Sequence, residues 1–199
     1  MSDQDSPMRM RPVLLGGGIG AGKTRVAMLF ADSGFHVIST DRVGHEQLRQ
    51  GSQAVAAIET IWPEAVQGGV VDRSVLAGIV FADEDALAEL ESITHPGIER
   101  DVREMIARAE RPVLVEVPIL KVFADDPFTR IAVIADDAVR LERVVARGGD
   151  ETDTRQRMSA QPSNDLWREW ATIVIDNTGD WAATVERVDD VIQMVLERG

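Results

Sequence analysis

Gly17, Gly18, Ile19, Gly20, Ala21, Gly22, Lys23 and Thr24 follow one another in the pattern G-x-x-x-x-G-K-[ST]. Each residue type has a physical use in holding phosphate. Glycines let the backbone bend into a ring whose N–H groups point inward at anionic oxygens. A helix that opens at the end of the ring adds its unpartnered first N–H groups and its dipole. Lys23 offers a mobile cation for β- and γ-phosphates, and Thr24 a hydroxyl for Mg²⁺. The chemistry this predicts is binding of a nucleoside triphosphate, ATP with Mg²⁺. Only Lys23 and Lys121 are lysines among 21 basic residues, the rest being arginine, so a chain poor in lysine still carries one where the phosphates need it.

Three further groups can act around such a loop. Asp41 follows a short apolar run, at the carboxyl end of a predicted strand, where ligands sit in open parallel sheets. It reads as a carboxylate facing a substrate or as an ordinary helix N-cap. Glu116 closes the apolar run Val113-Leu114-Val115, the position from which an acid holds Mg²⁺ in related chemistry. Arg143 and Arg147 are four apart and are expected on one face of a helix. With Arg155 and Arg157 in the polar stretch Asp150 to Gln161, they suit a lid that clamps a transferring phosphoryl group. The competing reading pairs these arginines with Glu142, Asp150 or Glu151 on a wet surface.

The elements that must position these groups alternate. Strands are predicted at Pro12–Leu15, His36–Ser39, Pro112–Pro118, Ile131–Ile134 and Ile173–Ile175. A helix after the loop carries Val26, Leu29 and Phe30 and stops at Gly34. Another runs from Asp41 to about Gln50. Helices are then expected at Ala54–Ile61, after an Asp72 cap, over Asp83–Ile93, and again after a break at His95-Pro96. Trp62-Pro63 and Gly68-Gly69 punctuate this helical stretch. The last helix carries Val185, Val188, Val191, Ile192 and Val195. The expected fold is α/β: a central parallel five-stranded sheet flanked by helices, with a helical acceptor-side insert over about 42–110 and a lid over about 147–170, all in one domain spanning 12–199. Residues 1–11 are expected to fray as a polar tail.

Composition narrows the function. The chain has 199 residues, a formal net charge of −13 and no cysteine. Such a surface repels polyanions, so nucleic acid is not an expected partner, whereas a small anionic substrate needs only a local basic pocket. Disulfide and thiolate chemistry are excluded. No apolar run nears the roughly 18 residues that span a bilayer, and a cytoplasmic protein without a membrane partner is expected. The guanine-specifying motif N-K-x-D is absent; Asn177-Thr178-Gly179-Asp180 is what stands near the end.

From Val13 to the C-terminus the chain resembles the dephospho-coenzyme A kinases, which are P-loop kinases. The landmarks in order are the loop Gly17–Thr24; Val37-Ile38 before Asp41; Asp72-Arg73 with Leu76 and Ile79-Val80-Phe81; Leu90-Glu91 before His95-Pro96; Pro118-Ile119-Leu120; Gln161; and Val174-Ile175-Asp176-Asn177 with Gly179. The resemblance implies transfer of the ATP γ-phosphate to the ribose 3′-hydroxyl of dephospho-coenzyme A. It implies Asp41 as the catalytic carboxylate, Arg143 and Arg147 in the lid, and Asn177 and Gly179 near the adenine. A same-fold kinase with another hydroxyl-bearing acceptor, and a nucleotide-binding regulator of little activity, are the alternatives.

Five positions depart from the family pattern: Ser39, His45, Val122, Trp167 and Thr172 stand where charge, or a partner for charge, is usual. One expectation is an acceptor site of lower charge, with Trp167 offering it a flat apolar surface. The other is that Arg42 and Arg168 rebuild the same contacts from neighbouring positions.

Overall fold

The computed structural model describes residues 11–197, so the expected tail lies, but for Arg11, outside the described residues. In chain order the elements are β1 (Val13–Gly16), α1 (Lys23–Asp32), β2 (His36–Ser39), α2 (Thr40–Gln47), α3 (Gln53–Ile61), β3 (Val66–Gln67), β4 (Val70–Val71), α4 (Arg73–Val80), α5 (Glu84–Arg108), β5 (Val113–Glu116), β6 (Thr129–Ile134), α6 (Asp137–Val145), α7 (Glu151–Ser159), α8 (Asn164–Trp170), β7 (Ile173–Asp176) and α9 (Trp181–Glu197). They fall into two compact units, one comprising the chain up to Ile38 and from Ala109 onward, the other Ser39–Arg108.

The first unit is built on the five-stranded sheet, in the order β2-β5-β1-β6-β7. β1 lies parallel to both β5 and β6, and β6 parallel to β7. Central parallel strands are covered on both faces, which is why they read as short, wholly apolar runs. The pleat divides their side chains. Val13, Leu15, Ile131, Val133, Ile173 and Ile175 join Val26 and Phe30 of α1 and Val188, Val191, Ile192 and Val195 of α9 in one core. Ala132 and Ile134 point the other way, onto Trp167 of α8, with Trp170 and Val174 packed beside them.

That second cluster corrects two expectations. Trp167 is fully buried, its ring edge-on to Trp170 at 5.3 Å, so it presents no surface to an acceptor. An indole against a sheet face removes more apolar area from water than any rim position could, and burial decides its role. The expected lid span 147–170 thus includes α8, which is packed on β6 through this residue. Val122 is likewise 96% buried, its exposed fraction being 4%. Thr172 spends its hydroxyl on the sheet, donating to the Arg130 carbonyl and accepting from the Arg130 N–H.

In the second unit, α2, α3 and α4 assemble on the long α5. Val55, Ile58, Trp62, Leu76 and Val80 form its core, with Leu87, Leu90 and Ile93 of α5 packed against them. Ser52 caps α3 by accepting the Val55 N–H, and Asp72 caps α4 by accepting from Ser74 and Val75, as its sequence position predicts. Gly68 and Gly69, at φ 59° and 75°, make the tight turn of the β3–β4 hairpin. Both residues of such a turn need positive φ, so this glycine pair marks a hairpin and not merely a pause between helices.

The expected break at His95-Pro96 does not occur: α5 runs unbroken with Pro96 inside it. Proline forfeits one helical hydrogen bond and crowds the preceding turn, a cost of about 3 kcal/mol. Packing on both sides of the residue offsets it. Leu87, Leu90 and Ile93 hold the first half of α5 in the unit's core. Just beyond Pro96, Ile98 packs against Gly44, and Gln47 reaches both Gly97 and Asp101.

Candidate active site

The loop after β1 is held by side chains that the motif does not contain. Gly17, Gly20 and Gly22 take φ of 146°, 77° and 102°. Their need for glycine is also one of space. A Cβ on Gly17 would come 2.2 Å from the Val133 carbonyl oxygen of β6, one on Gly20 2.4 Å from the Arg140 carbonyl oxygen of α6, and one on Gly22 2.3 Å from Asn177 Nδ2. The loop thus lies directly on β6, on α6 and on the residue that follows β7.

Its N–H groups do not all face a ligand, as the motif alone suggests. The Ile19 N–H donates to Gln161 Oε1 at 2.7 Å, and the Ala21 N–H to the Gly18 carbonyl at 3.2 Å. The next peptide group is gripped as well, the Ile19 carbonyl accepting from Arg140 Nε at 2.9 Å. The Ala21 carbonyl accepts from Asn177 Nδ2 at 2.8 Å, and Asn177 Oδ1 in turn accepts from Thr184 at 3.0 Å. Asn177 is 2% exposed. Its amide is committed to the shape of the loop and so acts from beneath it.

The start of α1 suits an anion. Gly22 occupies the N-cap without a side-chain cap, and the first turn holds no acid. The first ladder bond is Val26 N–H to the Gly22 carbonyl, so the amides ahead of it lie outside the helical ladder. Lys23 Nζ donates to the Gly17 carbonyl at 2.6 Å, which folds the ammonium across the mouth of the loop. Thr24 is exposed in the same turn.

Arg140 is the residue that reading the motif missed. It is 2% exposed, yet among the described residues its side chain pairs only with Ile19 and with an exposed Asp137, each at 2.9 Å. Its Nη2 is buried without a hydrogen-bond partner among the described residues and would touch a Cβ on Gly18 at 2.1 Å. A buried cation compensated by one solvated carboxylate leaves positive potential beneath the loop. Arg143 donates to the Asn177 carbonyl at 2.8 Å, with a second buried nitrogen, Nη1, unpartnered among the described residues. Arg143 and Arg147 are expected on one helix face; α6 ends at Val145, and Arg147, just beyond it, donates from Nε to the Arg143 carbonyl four residues back. The two arginines that share the inner side of α6 are Arg140 and Arg143, three apart. Their spacing on the helix that follows β6 was the available signal. Arg155 and Arg157 are tied to Glu151 and Asp153, at 2.8 and 3.7 Å, as surface pairs.

Replacing Arg140 with Met keeps the length and apolar stem but leaves the Ile19 carbonyl unpaired. The expected result is a loss of stability of about 1–3 kcal/mol and a smaller thermal shift on adding ADP than the wild-type protein shows. Thermal unfolding with and without ADP measures both; an unchanged shift would mean that the Arg140 charge is not felt at the loop.

Glu116 is the last residue of β5 and stands level with Leu15, two residues before the loop begins. Among the described residues no group of three or more acids and histidines is gathered as a metal cage. Mg²⁺ suits such a site, since it takes one or two protein oxygens and fills the rest of its shell with phosphate and water. Gly179 is exposed, with open space where a side chain would be. Asp41 belongs to the second unit. It lies in the first turn of α2, exposed, and is not the N-cap, which is Ser39.

The parallel sheet, its strand order and the phosphate loop define a P-loop kinase. Shikimate kinase of Acinetobacter baumannii shares this fold, with a TM-score of 0.54 at 16% identity over 95% of this chain and 94% of that one. The particular family follows from closer comparisons. The model described as Dephospho-CoA kinase matches residues 12–183, and the chain belongs to that family. A dephospho-CoA kinase of Thermobifida fusca is 37% identical over 196 residues, 95% of this chain and 98% of the relative. One of Thiobacillus denitrificans is 38% identical over 189 residues, 92% and 94% of the two. A solved protein of Thermus thermophilus superposes with a TM-score of 0.77 at 31% identity, over 92% of this chain and 97% of the other.

Proposed function

We propose that this kinase transfers the γ-phosphate of ATP to the ribose 3′-hydroxyl of dephospho-coenzyme A, the last step of coenzyme A synthesis, in the cytoplasm. The observation that carries the reading is the loop itself: an anion-binding ring closed by Lys23 and backed by the under-compensated charge of Arg140. Lys23 orients the terminal phosphates, and the first turn of α1 receives negative charge. Thr24 and Glu116 would hold Mg²⁺, which when bound neutralises charge on the phosphates. Asp41 would accept or orient the acceptor hydroxyl proton. Arg143 fixes the Asn177 backbone beside the loop, and Arg147, just beyond α6, would help to cover the nucleotide.

The burial of Trp167 and Val122 takes two of the five departures out of the acceptor question, because neither side chain meets solvent. Arg168 lies 3.8 Å from Asp176 in a half-exposed pair that a charged substrate can displace. Dephospho-coenzyme A is accordingly the expected acceptor. The test is ADP release with dephospho-coenzyme A, adenosine 5′-phosphate and a panel of phosphorylated metabolites. A kcat/KM for dephospho-coenzyme A well above every other acceptor is expected; a better substrate in the panel would reassign the acceptor, and no acceptor-dependent release would point to a regulator.

A further inference from the structure

We propose that Gln161 is a phosphate-binding residue that lets the loop tell a nucleoside triphosphate from a diphosphate. The proposal rests on the ATP reading above and goes beyond it. Gln161 follows the last turn of α7, and its N–H donates to the Met158 carbonyl at 3.3 Å. Pro162 comes next and restricts the backbone at Gln161 itself. The side chain spans 142 residues of sequence to reach the Ile19 N–H.

An amide has a carbonyl end and an amino end. Because Ile19 presents an N–H, the end facing it must be Oε1, and the assignment of oxygen and nitrogen follows from that bond. Nε2 is then left as a donor pair with no partner among the described residues, held a hydrogen bond and an amide's width from the loop. The part of the loop it adjoins is the part that Lys23 marks. The lysine ammonium, which serves the β- and γ-phosphates, bonds the Gly17 carbonyl, two residues from Ile19. The opposite end of the loop, at the start of α1, serves the phosphates nearer the nucleoside. A donor fixed at Ile19 therefore meets the terminal phosphate group and not the inner ones. The Arg140 bond to the Ile19 carbonyl, in the next peptide group, holds the same residue from its other side, so that Gln161 meets a residue tied at both ends.

The arrangement is separable by one atom. Gln161→Glu keeps an oxygen to accept the Ile19 N–H but replaces the Nε2 donor with an anionic oxygen. Gln161→Leu removes both ends at similar volume. Affinities for ADP and for the non-hydrolysable β,γ-imido analogue of ATP, measured by calorimetry with Mg²⁺ and no acceptor, give the readout, with thermal unfolding of each nucleotide-free variant as a check on the fold. We expect Gln161→Glu to unfold as the wild type does, to weaken the triphosphate analogue by about 10- to 100-fold, the range of one hydrogen bond to a charged group, and to leave ADP within about 3-fold. Gln161→Leu is expected to weaken the analogue more than ADP as well. Equal losses for both nucleotides, or no loss for either, in a folded Gln161→Glu protein would overturn the assignment while leaving the ATP reading intact. A wild-type protein that binds neither nucleotide would instead overturn the ATP reading and this assignment with it.

Discussion

A Lys23→Ala protein is expected to fold and to have lost phosphoryl transfer by at least about 10²–10³-fold, the size of one preorganised contact to developing charge. The geometry sets both halves of that expectation. Lys23 Nζ is tethered to the Gly17 carbonyl at 2.6 Å, so the ammonium waits at the mouth of the loop and need not be recruited from solvent. Removing it takes the bond to the Gly17 carbonyl from a loop that Arg140, Gln161 and Asn177 hold independently. One such bond is worth about 0.5–1.5 kcal/mol net, a small part of the 5–15 kcal/mol typical of a domain. Lys23→Arg is not expected to rescue activity, because the planar guanidinium cannot occupy the ammonium's place beneath the Gly17 carbonyl without displacing the loop. The measurement is kcat together with the unfolding midpoint of each variant. Near-normal turnover in folded Lys23→Ala would remove the loop from the reaction.

What the chain disclosed in advance was what local rules govern. The five sheet strands are apolar runs next to turn residues, and each fell within one or two residues of its expected bounds. The Asp72 cap needs only its neighbours, and it forms as written. The loop could be read because its chemistry lies in eight consecutive residues. What stayed hidden depends on partners far along the chain. Arg140 looks like its neighbours Arg143 and Arg147 until α6 packs its backbone against Gly20. The grip of Gln161 on Ile19 crosses most of the sequence, and no periodicity announces it. Trp167 stands where a charge was expected, but a large indole goes where there is apolar area to cover, and β6 supplies it. Pro96 shows the opposite failure, a strong local rule overridden by packing along the rest of α5.

The fate of Asp41 is the sharpest remaining test, because its two roles differ by orders of magnitude. As a mere occupant of the first turn of α2 its charge interacts with the helix dipole, an effect of about 0.3–1 kcal/mol. Asp41 does not stand at the N-cap position, which Ser39 occupies without a side-chain capping bond. As the group that accepts or orients the acceptor's proton, its charge is worth about 10²–10⁴ in rate. Asp41→Asn keeps the shape and the capacity to hydrogen-bond while removing the charge. We expect kcat to fall by about 10²–10⁴-fold, the affinity for ADP to stay near wild type, and the unfolding midpoint to move by no more than the dipole effect allows. Exposure strengthens this discrimination: Asp41 lies open at the surface of its unit, so a neutral amide there creates no cavity and no buried orphan. A fall in kcat therefore reads the chemistry and not a damaged fold. A kcat within about 3-fold of wild type, with the expected small stability change, would leave Asp41 a helix residue only and send the search for the base to the other acids of the second unit.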